Sequence, residues 1–245
     1  MTMKVLHDLM ATLDFAPPVG DIIQGYFWTA VVTHGCGLAS TPHEARFHDG
    51  ALPVKEAGSL LQKDAGELAR MAFSESANEA AIGIATINSL LDIDESRFVE
   101  LNAFDLIAEK GAGKKVAVIG HFPFVGKLRG IAEQLWVVEK NPREGDLQDS
   151  KAETLVPDAD VVAITGSTLV NHTFERLVGL CAPRALVIVL GPSTPLSPVL
   201  FDHGVDVISG TRVIDTEKAL RYVSQGASFR QMRGVRLLTM RRTSE

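Results

Sequence analysis

Hydrophobic positions fall into two regimes along the chain. From residue 115 onward, short apolar runs rich in β-branched residues alternate with stretches whose apolar side chains recur every three or four positions. The runs at 115–119, 135–138, 160–164, 185–190 and 205–208 are too short for helices and show no polar alternation, as expected of strands covered on both faces. The stretches 124–134, 169–180, 197–203 and 215–225 carry the helical period; in the first, Val125, Leu128, Ile131 and Ala132 share one face. A parallel strand pair needs a crossover, and the crossover is right-handed. This alternation therefore predicts a Rossmann-like, doubly wound parallel sheet.

The first 112 residues read differently. Residues 2–13 form an amphipathic helix with Val5, Leu6, Leu9, Met10 and Leu13 on one face, ended by the Pro17-Pro18 stretch. Residues 22–33 are rich in Ile, Tyr, Phe, Trp, Thr and Val and predict a strand. His34-Gly35 stands where a hairpin turn belongs, and Cys36 to Ser40 is the return strand. Residues 41–57 look irregular. Helices follow at 64–73 and 76–91; in the second, Ala80, Ala81, Ile84, Ala85, Ile87, Asn88 and Leu91 make a small-residue face suited to close packing. Residues 92–101 connect to a short helix at 103–110. The expected organisation is α/β, with a small α+β domain (1–112) and a Rossmann-like domain (113–245), joined at Gly111-Ala-Gly-Lys-Lys115.

Charge supports a break there. Residues 1–112 carry 7 Lys and Arg against 16 Asp and Glu, whereas 113–245 carry 17 against 14, for a net charge of −6 over 245 residues. A mildly basic second half suits an anionic small ligand and is too weak for nucleic acid. The arginines of Arg230 to Arg242 predict a solvated or partner-packed tail. No apolar run reaches the ~18–20 residues of a membrane span, and the N-terminus lacks a signal-peptide core, so a cytoplasmic protein with no membrane partner is expected. Cys36 and Cys181 are too far apart in sequence to suggest a disulfide framework.

Ligands of open α/β sheets bind beyond the carboxyl ends of the strands. Those ends read Gly120-His121-Phe122-Pro123, Glu139-Lys140-Asn141, Thr165-Gly166-Ser167-Thr168, Gly191-Pro192-Ser193-Thr194-Pro195 and Ser209-Gly210-Thr211-Arg212. Glycines let a ligand approach the backbone, and hydroxyls donate or accept. Several such ends on one edge favour a pocket for a small polar or anionic ligand. His121 can serve as base, metal ligand or donor to an anion. Asn171 and His172 are expected in the first turn of the helix after the third strand, where the helix dipole favours an anion, with Glu175 orienting either one. Glu139 lies 19 positions after Gly120, the ~20-residue spacing of a ribose-binding acid, which raises a nucleotide or S-adenosylmethionine-type cofactor as the alternative. The glycine pattern Gly120-His-Phe-Pro-Phe-Val-Gly126 departs from G-x-G-x-x-G, and Pro123 withholds an N–H. His34 and Cys36 are a soft pair without the four-ligand set of structural zinc, favouring a turn histidine and a buried cysteine. His43 and His48 are isolated. There is no nucleophile elbow, P-loop or H-E-x-x-H motif.

The segments VAVIGHFPF (116–124), VVEKNP (137–142), ADVVAITGSTLVNHTFERLV (159–178), VLGPSTPLSPVLFDHGVDVISG (189–210) and TRVID (211–215) resemble the family described as "putative heavy-metal chelation". TGSTLVNHT and GPSTPLSP are the specific part. The first half is similar to the companion unit of that family, shaped like the N-terminal domain of enolase; the barrel that holds enolase's metal and bases has no counterpart. The resemblance implies a cleft between two domains at the carboxyl edge of the sheet, and no reaction. The matching positions are His121, Glu139, Thr165, Thr168, Asn171, His172 and Ser193. Read with the strand ends above, His121 and His172 are the expected contacts either to the small ligand itself or to a divalent transition metal bound with it. The apolar helix faces also allow a homodimer.

Overall fold

The computed structural model describes residues 3–43 and 52–242, which leaves His48 outside the described residues. The first half opens with α1 (Lys4–Met10), followed by a three-stranded antiparallel sheet in the order β1-β2-β3: β1 (Asp21–Gln24), β2 (Trp28–Val32) and β3 (Cys36–Ser40). The single strand expected at 22–33 is thus two strands folded back around Gly25-Tyr26-Phe27, with Asp21 paired to Val32 and Gln24 to Thr29. Aromatic content marks Tyr26 and Phe27 as strand formers, but they sit exposed at the turn, where Tyr26 lies against His43. The second turn falls at Thr33-His34-Gly35, as expected, with His34 exposed and Cys36 buried.

The sheet is covered by α3 (Ala77–Leu90), capped by Ser76, and α2 (Ala65–Arg70), closed by a capping box of Asp64 and Glu67, packs on α3. The small-residue face of α3 lies directly on β3. A Cβ at Gly37 would stand 2.0 Å from the Ala85 carbonyl oxygen, so only glycine permits this approach.

The connection runs through α4 (Ala103–Gly111), capped by Asn102, into the second sheet. There follow β4 (Lys115–Ile119), α5 (Val125–Leu128), β5 (Gln134–Glu139), β6 (Leu147–Gln148), α6 (Ala152–Leu155), β7 (Val161–Thr165), α7 (Ser167–Val170), α8 (Phe174–Gly179), β8 (Leu186–Leu190), α9 (Val199–Asp202), β9 (Val207–Val213), α10 (Thr216–Ser224) and β10 (Val235–Arg241). The sheet order is β10-β9-β8-β7-β4-β5-β6, parallel except for β10. Successive strands run outward from β4 on one side and from β7 on the other. This is a doubly wound sheet whose switch point lies between β4 and β7.

Several expectations about the second half need correction. The crossovers at 124–134 and 197–203 are single turns, and the helix expected at 169–180 is broken into α7 and α8. The arginine-rich tail is an edge strand: β10 pairs antiparallel along all of β9, and Arg236 meets Glu95 and Glu100. Leu238, Thr239 and Met240 bury the middle of β10, whereas Leu237 and Arg241 are exposed. That pairing also extends β9 through Val213, so Ser209 to Arg212 lie within a strand rather than after one.

One buried apolar cluster joins the two halves. Leu6 and Leu9 of α1 and Ile84 of α3 belong to the same core as Val162, Leu169, Phe174 and Leu200. Two polar contacts fasten α1 to the second half: the Val5 N–H donates to Glu175 Oε1 at 2.8 Å, and His203 lies 3.0 Å from Asp8. Glu175 therefore caps α1 rather than orienting Asn171 or His172. Among the described residues no helix is long and apolar enough to cross a membrane.

Candidate functional site

A cleft of about 690 Å³ opens outside the carboxyl ends of the second sheet's strands. Its floor comes from the switch point. Gly120 ends β4 at φ +103°, a left-handed conformation that suits glycine, and a Cβ there would press on Thr165 at 3.0 Å. The chain can therefore turn sharply between two adjacent parallel strands, bringing His121 and Thr165 to one hollow. Glu139 enters from the end of β5, Ser167 from the turn after β7, and Gly191, Pro192 and Ser193 from the turn after β8. The first half contributes Trp28 and Ser40, the start of α4 contributes Asn102 and Phe104, and the chain before β10 contributes Phe229 and Arg230.

The polar wall is tied across the two halves by hydroxyls. Thr165 Oγ1 donates to Ser167 Oγ at 3.2 Å, Ser167 and Ser40 share a bond of 3.0 Å, and Ser193 Oγ donates to Ser40 Oγ at 3.1 Å while accepting the Ser40 N–H at 2.8 Å. Aromatic rings line the cleft as well. Phe122 and Phe124 stack with centroids 5.1 Å apart, Phe104 packs 5.6 Å from Phe124, and Trp28 meets Phe229 edge-on at 5.6 Å. Four of the chain's 11 phenylalanines stand here half-exposed, where a core would bury them, as a binding wall requires. Lys127 and Arg230 supply positive charge at the rim.

Glu139 and His121 are coupled. Glu139 Oε2 accepts the His121 backbone N–H at 3.0 Å and its Oε1 accepts the Lys140 N–H at 2.7 Å. The acid whose spacing matches a ribose ligand thus ties down the loop after β4. His121 Nδ1 lies 2.7 Å from Asp146 Oδ2, and the Asp146 side chain is fully buried.

Five of the seven sequence-predicted site residues line this cleft: His121, Glu139, Thr165, Asn171 and Ser193. The other two do not. Thr168 is buried, its hydroxyl donating to the Thr165 carbonyl at 2.7 Å. His172 lines a separate hollow of about 20 Å³ with Met3, Val5 and Leu6, and its Nε2 lies 2.8 Å from the Ala72 carbonyl oxygen. The expected pairing of His121 with His172 about one metal is therefore corrected. The cause is the break between α7 and α8, where His172 takes φ +60° and swings toward the first half. The same break makes Asn171 the C-terminal cap of α7, so it does not present a helix N-terminus to an anion; its Oδ1 accepts from Thr173.

Sequence reasoning missed Asp146, Ser40, Ser167 and the aromatic wall. Ser167 stood in the strand-end segment already singled out, whereas nothing local distinguishes Asp146 or Ser40. Neither thiol reaches the cleft. Burial, reinforced by Asp21 for Cys36 and by Asp206 for Cys181, pushes both up to about 12. Among the described residues, no group of three or more His, Cys, Asp or Glu is arranged to hold a metal ion. The residues present therefore do not fit a closed metal centre of their own.

Known proteins bear on this arrangement. Two family models, both described as "putative heavy-metal chelation", match residues 7–91 and 102–241. An uncharacterized protein of Methanocaldococcus jannaschii is 30% identical over 184 residues, covering 71% of this chain and 70% of that protein. The crystal structure of a DUF364-family protein of unknown function from Desulfitobacterium hafniense superposes with a TM-score of 0.86 at 28% identity, covering 98% of both chains. A second DUF364-family structure, from Pyrococcus horikoshii and also of unknown function, shares the fold with a TM-score of 0.81 at 21% identity, covering 99% of this chain and 100% of that one. With its mixed α/β architecture and both halves matched, the chain belongs to the family described as "putative heavy-metal chelation", for which no reaction is established.

Proposed function

We propose that the cleft binds a small polar ligand, with His121 and Glu139 as its reactive contacts and Thr165, Asn171 and Ser193 orienting it. The observation that carries this reading is the convergence of those five side chains, drawn from four separate stretches of chain, onto one hollow at the sheet's switch point. At about 690 Å³ the hollow falls within the ~300–1,000 Å³ of small-molecule sites and far exceeds what a bare ion needs. Among the described residues there are too few grouped donors for a closed metal site. A heavy metal handled here would take most of its donors from the bound small molecule, and His121 is the protein group placed to supply one more.

Calorimetry separates the alternatives. Zn²⁺, Ni²⁺ and Cu²⁺ are titrated alone and as their complexes with small polyfunctional acids such as citrate or free histidine. The expected result is heat from a complex, lost in His121→Ala and retained in His172→Ala. Heat from bare metal that survives His121→Ala would sink the reading.

A further inference from the structure

Building on the cleft reading, we propose that Asp146 is a positioning residue for His121. It holds the proton on Nδ1 and leaves the Nε2 lone pair facing the cleft. His121 then meets its ligand as an electron-pair donor, toward an acidic hydrogen or a cation, rather than as a hydrogen-bond donor to an anion.

The geometry fixes both ends of the pair. Asp146 Oδ2 lies 2.7 Å from Nδ1 and also accepts the Arg143 N–H at 3.1 Å. The Asp146 N–H donates back to the Arg143 carbonyl at 2.9 Å, closing a turn in which Gly145 adopts φ +84°. Arg129 Nη2 donates to the Gly145 carbonyl at 3.0 Å, pinning that turn to the segment after α5. On the other side, the His121 backbone N–H is held by Glu139. An ionised carboxylate only accepts, so the proton between Asp146 and the ring belongs to Nδ1. Among the described residues, Nε2 makes no hydrogen bond to the protein, and His121, its side chain 23% exposed, is one of the residues lining the cleft.

A second observation strengthens the pairing. Asp146 Oδ1 is buried and has no partner among the described residues. A buried carboxylate with one idle oxygen favours any event that places positive charge on the neighbouring ring, and electron donation from Nε2 is such an event. An anionic oxygen placed at Nε2 would instead confront a lone pair backed by a carboxylate. Lys127 and Arg230 are the groups lining the cleft that suit an anionic portion of the ligand.

The test needs no ligand. Two-bond ¹⁵N–¹H correlation spectra of the full chain, recorded where the imidazoles are neutral, report which ring nitrogen carries the proton. The signal missing in His121→Gln identifies the residue. We expect His121 to be Nδ1-protonated in the wild type, and Asp146→Ala to shift it toward the Nε2–H form that an unconstrained histidine favours. An Nε2–H wild type overturns the inference, as does an unchanged pattern in folded Asp146→Ala. Should Asp146→Ala fail to fold, the wild-type spectrum alone decides. Failure here leaves the calorimetric test of the cleft untouched, and failure of that test leaves the tautomer as found.

Discussion

His121 and His172 both stand beyond the carboxyl end of a strand in the same sheet, yet they are opposites. His121 gives Nδ1–H to a buried carboxylate and leaves Nε2 open to a cleft. His172 must donate from Nε2, because its partner is the Ala72 carbonyl, and it sits in a hollow with room for about one water. The difference arises from what the first half lays over the sheet. Over α7 and α8 it places α1 and the Ala72 carbonyl, closing the corner; over the cleft it places Trp28, Ser40 and the start of α4, leaving space. A histidine after a strand is thus made structural or functional by the packing above it.

The contrast breaks most readily at the aromatic residues. Phe174, buried beside His172, should cost about 3–5 kcal/mol when cut to alanine, whereas Phe122→Ala on the cleft wall should cost about 1 kcal/mol, both read by denaturant unfolding. Equal losses would mean that the cleft wall is core. Next in size, His172→Ala strips a buried carbonyl of its donor and should cost about 1–3 kcal/mol. His172→Asn should recover part of that loss, since asparagine tolerates the left-handed backbone at φ +60°. Smaller still is the hydroxyl seam: a double-mutant cycle on Ser40→Ala and Ser193→Ala should give a coupling of about 0.5–1 kcal/mol. Strict additivity would show that the seam does not join the halves.

Much of this was legible in the sequence, for identifiable reasons. Buried parallel strands leave uninterrupted apolar runs, so β4, β5, β7 and β8 fall within one or two residues of expectation. The switch point follows from topology, and with it the meeting of His121, Glu139 and Thr165. What failed depended on contacts distant in sequence. Asp146 lies 25 positions from His121 on a turn that only the short parallel pairing of β6 with β5 brings back. The tail carries so much charge that its strand character shows only once β9 offers an edge. The break at His172 has no glycine or proline to announce it, and the Ala72 carbonyl that the ring then meets lies 100 positions away in sequence.

The smallest expected effect concerns the groups a heavy-metal description would first suggest. Soft metals bind thiolate, yet Cys36 and Cys181 are both held as thiols, pushed up to about 12 by burial, and neither lines the cleft. At pH 8 roughly one molecule in 10⁴ would carry either thiolate. Cd²⁺ calorimetry at neutral pH should therefore give the same result for wild type and for Cys36→Ala/Cys181→Ala. The pH dependence supplies the sign. A site using one of these thiols releases a proton on binding, so its affinity would climb about tenfold per pH unit between 8 and 12. A site on His121 stops gaining once the imidazole is neutral. A steep alkaline rise that vanishes in the cysteine variant would move metal recognition from the cleft to the thiols, and the comparison of the two histidines would then describe packing alone.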